Sequence, residues 1–222
     1  AAAGNMKNLF IVFEGIDGSG KSTQCDMLYE YIAGRGADVK KLAEPTSGKW
    51  GTELRAMLKS STPPPVETQI ELFIKDRIDD SEQNILPSLK SGATVVMDRY
   101  FYSNAAYQGV SGITPSEIID RNMKHGFPLP HRVYFIDIPA ETAMERILKR
   151  NGSGNTELFE KREFLETVRS NFLSIADERF LIVDGKGDVE SIFRKIKEDY
   201  EIMARHSEQS EGRSLPSTAP RH

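Results

Sequence analysis

Only one cysteine, Cys25, stands in the 222 residues, so an internal disulfide is impossible and a reducing compartment is expected. No apolar run approaches the ~18 residues that a membrane span requires. Residues 1–7 also lack the long apolar core of a secretory signal. These absences set the expectation of a cytoplasmic protein with no membrane contact. Positive charge is not in excess: 29 Lys and Arg face 33 Asp and Glu, for a net charge of −4. That balance argues against bulk binding to nucleic acid, so affinity for a phosphorylated ligand must reside in local clusters of Lys and Arg. No internal repeat is present.

What is there is an alternation of short apolar runs with amphipathic stretches. Strands are expected at Leu9 to Glu14, Val39 to Ala43, Thr94 to Met97, Arg132 to Asp137 and Phe180 to Asp184. Helices are expected at Ser22 to Gly34, Gly51 to Leu58, Val66 to Lys90 with a stop or bend near Pro87, and from Asp98-Arg99-Tyr100 through Gln108. Others follow at Pro115 to Lys124, Ala140 to Arg150, Glu160 to Ala176 and Val189 to Ala204. Strand–helix alternation of this kind predicts a three-layer α/β fold, a five-stranded parallel sheet flanked by helices on both faces. One domain over residues 8–204 is expected. Residues 1–7 read as an extension, and residues 205–222, rich in Ser, Pro and charge, as a disordered tail.

The most specific motif is Gly15-Ile16-Asp17-Gly18-Ser19-Gly20-Lys21-Ser22, followed by Thr23. It fits G-x-x-x-x-G-K-[ST] and lies between a strand and a helix, as a phosphate-binding P-loop must. The glycines let backbone N–H groups point inward, and the helix N-terminus adds its dipole. Lys21 reaches the β- and γ-phosphates of ATP, and Ser22 offers a hydroxyl to Mg²⁺. Asp17, an acid inside an anion-gathering loop, reads either as an acceptor for a hydroxyl of a second substrate or as a solvent-facing residue. A guanine-reading Asn-Lys-x-Asp motif is absent, which excludes a GTPase switch.

Ile70, Phe73, Ile74 and Ile78 form a buried helical stripe, and Arg77 lies inside it. A charge turned inward needs a partner. That partner is either an internal carboxylate, such as Glu71 or Asp80, or a ligand phosphate beside a base stacked on Phe73. Asp98 and Arg99 fall at the carboxyl end of a central strand, where open parallel sheets bind ligands. Asp98 is placed to orient Mg²⁺ and Arg99 to stabilise phosphoryl charge. Asn104 and Tyr107 share a helix face with Tyr100 and Ser103, suited to a pyrimidine edge or to ordinary packing. Arg146, Lys149 and Arg150 precede a Gly-rich link, with Lys161, Arg162 and Arg169 beyond it, a pattern that fits a lid over residues 146–162.

Phe13-Glu-Gly-Ile-Asp-Gly-Ser-Gly-Lys-Ser-Thr-Gln24, Glu44-Pro45-Thr46, Leu72-Phe73 with Arg77, Asp98-Arg-Tyr and Ser103-Asn-Ala-Ala-Tyr-Gln-Gly109 together resemble the thymidylate kinase family. The resemblance covers residues 8–200. It implies the P-loop NTPase fold and a homodimer that moves the γ-phosphoryl group of ATP to dTMP with Mg²⁺. It further implies that Asp17 binds the deoxyribose 3′-hydroxyl and Phe73 stacks on thymine, while Arg77 and Arg99 position the acceptor phosphate. Asn104 and Tyr107 would read the base and sugar, Glu44 would organise the metal and phosphate region, and Arg55 would approach the acceptor phosphate. Thr46-Ser-Gly-Lys-Trp50 replaces the Gly-Gly-Thr run common in similar bacterial enzymes. Leu158 stands where relatives often carry a basic residue, and no arginine follows Asp17. A catalytic cation is therefore expected from the lid, Arg150 first and Lys149 second.

Overall fold

The computed structural model describes residues 8–151 and 157–211, with side chains for 8–150 and 161–206. Strands β1 (Phe10–Glu14), β2 (Val39–Ala43), β3 (Thr94–Asp98), β4 (Arg132–Asp137) and β5 (Phe180–Asp184) form one parallel sheet in the order β2-β3-β1-β4-β5. Strand β1 is central and fully buried, which is why its sequence runs apolar without polar alternation. Its side chains still alternate between two cores. Phe10 and Val12 join Val95, Met97, Val133 and Phe135 on one face, while Ile11 and Phe13 join Val96, Tyr134 and Ile136 on the other.

The second face is covered by α1 (Lys21–Gly34), through Cys25, Leu28 and Ile32, and by α9 (Val189–Glu211), through Ile192, Ile196 and Tyr200. The first is covered by α5 (Phe101–Gln108), α7 (Ala140–Asn151) and α8 (Glu157–Ser174). Helices α2 (Lys49–Leu58), α3 (Val66–Asp80), α4 (Leu86–Lys90) and α6 (Pro115–Met123) complete the described residues. Helix α6 carries a legible start signal: Thr114 accepts the Glu117 N–H and Pro115 follows it.

The structure departs from the expected boundaries in two places. The segment 66–90 is not one helix bent at Pro87. Helix α3 ends at Asp80, and Ser81–Ile85 forms a π-helical turn before α4, with Ile85 buried in the core. Widening the turn costs hydrogen-bond geometry but carries Ile85 inward, a tertiary demand that helical periodicity does not display. Helix α9 continues to Glu211, into the stretch expected to lack structure. The rest of that stretch, the Gly-rich link 152–156 and residues 1–7 lie outside the described residues.

Candidate active site

Strands β1 and β3 lie side by side, in register from Phe10 opposite Val95 to Phe13 opposite Asp98. Parallel pairing therefore delivers the P-loop and the Asp98-Arg99-Tyr100 segment to the same edge. The loop begins after Glu14 and turns at Gly18, with φ +84°, where an added Cβ would stand 2.7 Å from the Ala143 carbonyl of α7. Only glycine allows so close a packing.

Beyond the loop, Lys21 Nζ donates to Asp98 Oδ1 at 2.6 Å and to Ser22 Oγ at 3.1 Å, and Ser22 Oγ donates to Asp98 Oδ2 at 2.6 Å. Burial pushes the Asp98 carboxyl up, but Lys21 and Ser22 outweigh it and hold the group below its ordinary value. Burial lowers the Lys21 ammonium, helped by Arg99 and opposed by Asp98. Around this loop lies an open cleft of about 650 Å³, lined also by Arg146, Ile147 and Arg150. Arg146 donates to the Ser19 carbonyl at 3.2 Å and the Gly185 carbonyl at 2.8 Å, tying α7 to the loop. Arg150 thus lines the cleft. Lys149 does not line it, and Arg169 is taken up by Asp137 at 2.7 Å.

A second cleft of about 570 Å³ opens next to it, lined by Glu44, Leu58, Phe73, Arg77, Tyr107 and Gln108 among others. Asp17 and Arg99 line both clefts. Arg99 has φ +71°, and among the described residues no other non-glycine has a positive φ. That conformation costs a side chain-bearing residue roughly 1–2 kcal/mol, and such outliers concentrate at functional sites. Three of its five N–H donors are engaged: Nη1 donates to Ser103 Oγ at 2.9 Å and the Gly15 carbonyl at 3.3 Å, and Nη2 to Asp17 Oδ1 at 2.7 Å. It also lies 5.2 Å over the Tyr107 ring, whose oxygen accepts the Asp17 N–H at 3.1 Å.

Arg77 is buried, and its partner is Glu44 rather than the expected Glu71 or Asp80. Nε donates to Glu44 Oε2 at 2.9 Å, Nη2 donates to the same oxygen, and Nη1 donates to Asn122 Oδ1 at 2.6 Å. Both members of the pair line the second cleft, so the internal ion pair and the ligand-facing position hold together. Burial pushes the Glu44 carboxyl up to about 8 against the pull of Arg77. Its Oε1 is buried with no hydrogen-bond partner among the described residues. Asn104 is buried behind the wall, donating to Gln108 at 3.1 Å, and Gln108 takes the place in the lining expected for it.

Arg55 does not reach the cleft lining. It clamps the turn after β2, donating to the Thr46 carbonyl at 2.6 Å and to that of Pro45. Asp76 fixes the same turn by accepting from Thr46 N at 2.8 Å and Oγ1 at 2.6 Å. Helix α2 packs so tightly here that a Cβ on Gly51 would stand 2.0 Å from the Thr46 carbonyl oxygen and 2.6 Å from its nitrogen. These are backbone atoms and cannot rotate away. Gly51→Ala is expected to lose about 1–3 kcal/mol of stability by overpacking and to raise KM for the ligand of the second cleft. A urea melt and steady-state kinetics check both, and wild-type values in each would contradict the packing argument.

Glu14 escaped selection from the sequence. It is fully buried at the end of β1, where it accepts the Tyr100 N–H at 2.8 Å, the Ser103 N–H at 3.2 Å and the Ser103 hydroxyl. A carboxylate from another strand thus caps α5 in place of a local side chain. Burial pushes its carboxyl up to about 7, against Arg99 and these hydrogen bonds. The available signal was a charge closing an otherwise apolar central strand.

A P-loop beside a second cleft, with one arginine facing both, defines a P-loop phosphotransferase that acts between two bound ligands. The sequence model of the family described as Thymidylate kinase matches residues 13–196. A thymidylate kinase from Leptospira borgpetersenii is 39% identical over 200 residues, covering 90% of this chain and 95% of that protein. One from Akkermansia muciniphila is 38% identical over 194 residues, covering 87% and 92%. The protein from Archaeoglobus fulgidus with the name "Probable thymidylate kinase" is 39% identical over 202 residues, covering 90% and 100%. The chain belongs to the thymidylate kinase family and is an ATP-dependent kinase.

Proposed function

We propose that this chain transfers the γ-phosphoryl group of ATP to dTMP, giving dTDP and ADP, with ATP in the P-loop cleft and dTMP in the second. The observation that carries this reading is the meeting of the clefts at Asp17 and Arg99. A phosphate oxygen of dTMP attacks the γ-phosphorus in line, the bond to the β,γ-bridging oxygen breaks, and ADP leaves with that electron pair. An ionised phosphate needs little general-base help, so the protein's task is to align two polyanions and neutralise their charge. Lys21 and the loop N–H groups hold the β- and γ-phosphates. Arg99, facing both clefts, holds the acceptor phosphate against the group being transferred, and Arg150 supplies a second cation from α7. Phe73 stacks on the base, and Asp17 with Tyr107 meets the sugar. Arg77, which the family resemblance assigns to the acceptor phosphate, lines the cleft with Phe73 and Gln108 and is assigned here with Gln108 to the polar edge of the base.

The donor set fits a magnesium ion. Ser22 and Asp98 converge hard oxygens beside the loop, and no cluster of metal-binding side chains is found among the described residues. Magnesium is commonly held by one or two such groups together with substrate phosphates. Ser22 and Asp98 would hold it there, and the ion would neutralise charge on the β- and γ-oxygens. A homodimer, which the family resemblance implies, and a cytoplasmic location, which the single cysteine favours, belong to the same proposal.

A coupled ADP-release assay with dTMP, dUMP, UMP, CMP and thymidine tests the reading. The highest kcat/KM is expected with dTMP. ADP formation only with thymidine would move the acceptor from nucleotide to nucleoside, and no ADP with any member would leave a binding protein.

A further inference from the structure

Behind the second cleft runs a chain of side-chain amides, of which the roles above use Gln108 alone. It begins where Arg77 Nη1 donates to Asn122 Oδ1 at 2.6 Å. Asn122 Nδ2 donates to the Ile118 carbonyl at 2.9 Å and to Asn104 Oδ1 at 3.4 Å. Asn104 Nδ2 donates to Gln108 Oε1 at 3.1 Å, and Gln108 Nε2 to Gln69 Oε1 at 3.3 Å. Gln69 Nε2 closes the chain on the Pro64 carbonyl at 2.8 Å.

Neither end has a choice of role. A guanidinium only donates, and a proline carbonyl only accepts. An amide that accepts on one side must donate on the other. Every member between the two ends therefore turns its oxygen toward Arg77 and its NH₂ toward Pro64. Reversing one amide would set oxygen against oxygen or NH₂ against NH₂. Asn122, Asn104 and Gln108 are 0%, 1% and 6% exposed, so water has little access to repair such a mismatch. The direction of hydrogen bonding in the cleft wall is thus fixed by Arg77 within it and by Asn122, Gln69 and Pro64 outside its lining. At Gln108, which lines the cleft, Oε1 is engaged by Asn104 and Nε2 retains a second N–H. Beside it stands Arg77, a donor without any acceptor capacity.

We propose that Asn122 and Gln69 are positioning residues that lock the Asn104 and Gln108 amides in one orientation. The wall then meets the acceptor base as a surface rich in donors and selects a pyrimidine with a keto oxygen at C4 over one with an amino group there. The proposal rests on the assignment of the second cleft to the nucleoside monophosphate. Neither positioning residue touches the reacting atoms.

The test compares kcat and KM for dTMP, dCMP and ATP in the wild type, Asn122→Asp and Gln69→Leu. Asp at 122 still accepts from Arg77 but has no N–H for Asn104, which must turn and reverse the chain. Leu at 69 removes the Pro64 anchor. In Asn122→Asp, KM for dTMP is expected to rise about tenfold and the dTMP-to-dCMP ratio of kcat/KM to fall about tenfold, while kcat and KM for ATP stay within about twofold. Gln69→Leu should shift the same parameters in the same direction by less. If Asn122→Asp does not fold, the half-buried Gln69 position decides alone. An unchanged acceptor ratio, or a loss shared equally by kcat and ATP binding, overturns the relay. A wild-type enzyme inactive on dTMP overturns the cleft assignment and the proposal with it.

Discussion

Replacing Arg99 by alanine is expected to lower kcat about 10²-fold or more, the usual loss when one charge-stabilising group is removed from a transition state, while the circular dichroism spectrum stays native. Three observations converge on this residue: it faces both clefts, it occupies a conformation that costs its backbone energy, and its guanidinium is oriented by Ser103, Gly15 and Asp17. Alanine keeps a β-carbon in the strained turn and removes the charge together with its hydrogen bonds to Ser103, Gly15 and Asp17, none of which belongs to the two cores, so fold and activity should separate. Arg99→Lys is expected to recover little, because a single ammonium cannot match a planar fork that meets Ser103 and Asp17 together. Single-turnover kinetics at saturating ATP and dTMP provide the measurement. A turnover near that of the wild type would remove Arg99 from the mechanism.

The second large effect is expected at Glu14, and it should appear in stability as well as rate. Glu14→Ala leaves the Tyr100 and Ser103 N–H groups and the Ser103 hydroxyl without their acceptor in a fully buried setting. Buried donors left unpaired cost about 1–3 kcal/mol each, so a loss on the order of 3 kcal/mol or more is expected in a urea melt. Ser103 also receives Arg99 Nη1, so kcat should fall along with stability. Glu14→Gln separates charge from hydrogen bonding through pH. The folded carboxyl titrates near about 7 and its ordinary value is 4.5, so the folded chain binds the extra proton between them. This group's contribution is therefore present below about 4.5 and is lost as pH rises through about 7. Wild-type stability should fall between about pH 4.5 and pH 7 by more than that of Glu14→Gln. Equal falls would show that Glu14 does not titrate in this window.

Both residues show what the chain discloses unaided. The P-loop, the parallel sheet and the convergence of Gly15–Thr23 with Asp98 and Arg99 follow from local pattern, because apolar runs and glycine spacing record which face each residue must bury. The apolar stripe leaves Phe73 and Arg77 open between an internal ion pair and a ligand, and the next helix face leaves Tyr107 open between packing and a pyrimidine edge; the family resemblance assigns all three to the acceptor. The partner of Arg77 could not be chosen from local pattern, since Glu44 comes from the far end of β2 and meets it only when β2 and α3 are packed. The same reason hid Asn122, which reaches Arg77 from α6, and Asn104, whose helix position does not reveal that Gln108 stands between it and the cleft. The family resemblance alone assigns Arg55 to the acceptor phosphate, and an exposed arginine near a Glu-Pro turn can serve either a ligand or a backbone carbonyl. Here the carbonyls of Pro45 and Thr46 hold it. The π-helical turn at Ser81–Ile85 is likewise a demand of packing rather than of local propensity.

The two clefts meet at Asp17 and Arg99 and are proposed to hold donor and acceptor at once. Isothermal titration with an inhibitor in which adenosine and thymidine are joined through five phosphates measures this. One equivalent is expected to bind per chain, more tightly than ATP or dTMP alone, with affinity lost in Arg99→Ala and competition against both substrates. An inhibitor that binds no more tightly than ATP and leaves dTMP binding untouched would contradict it.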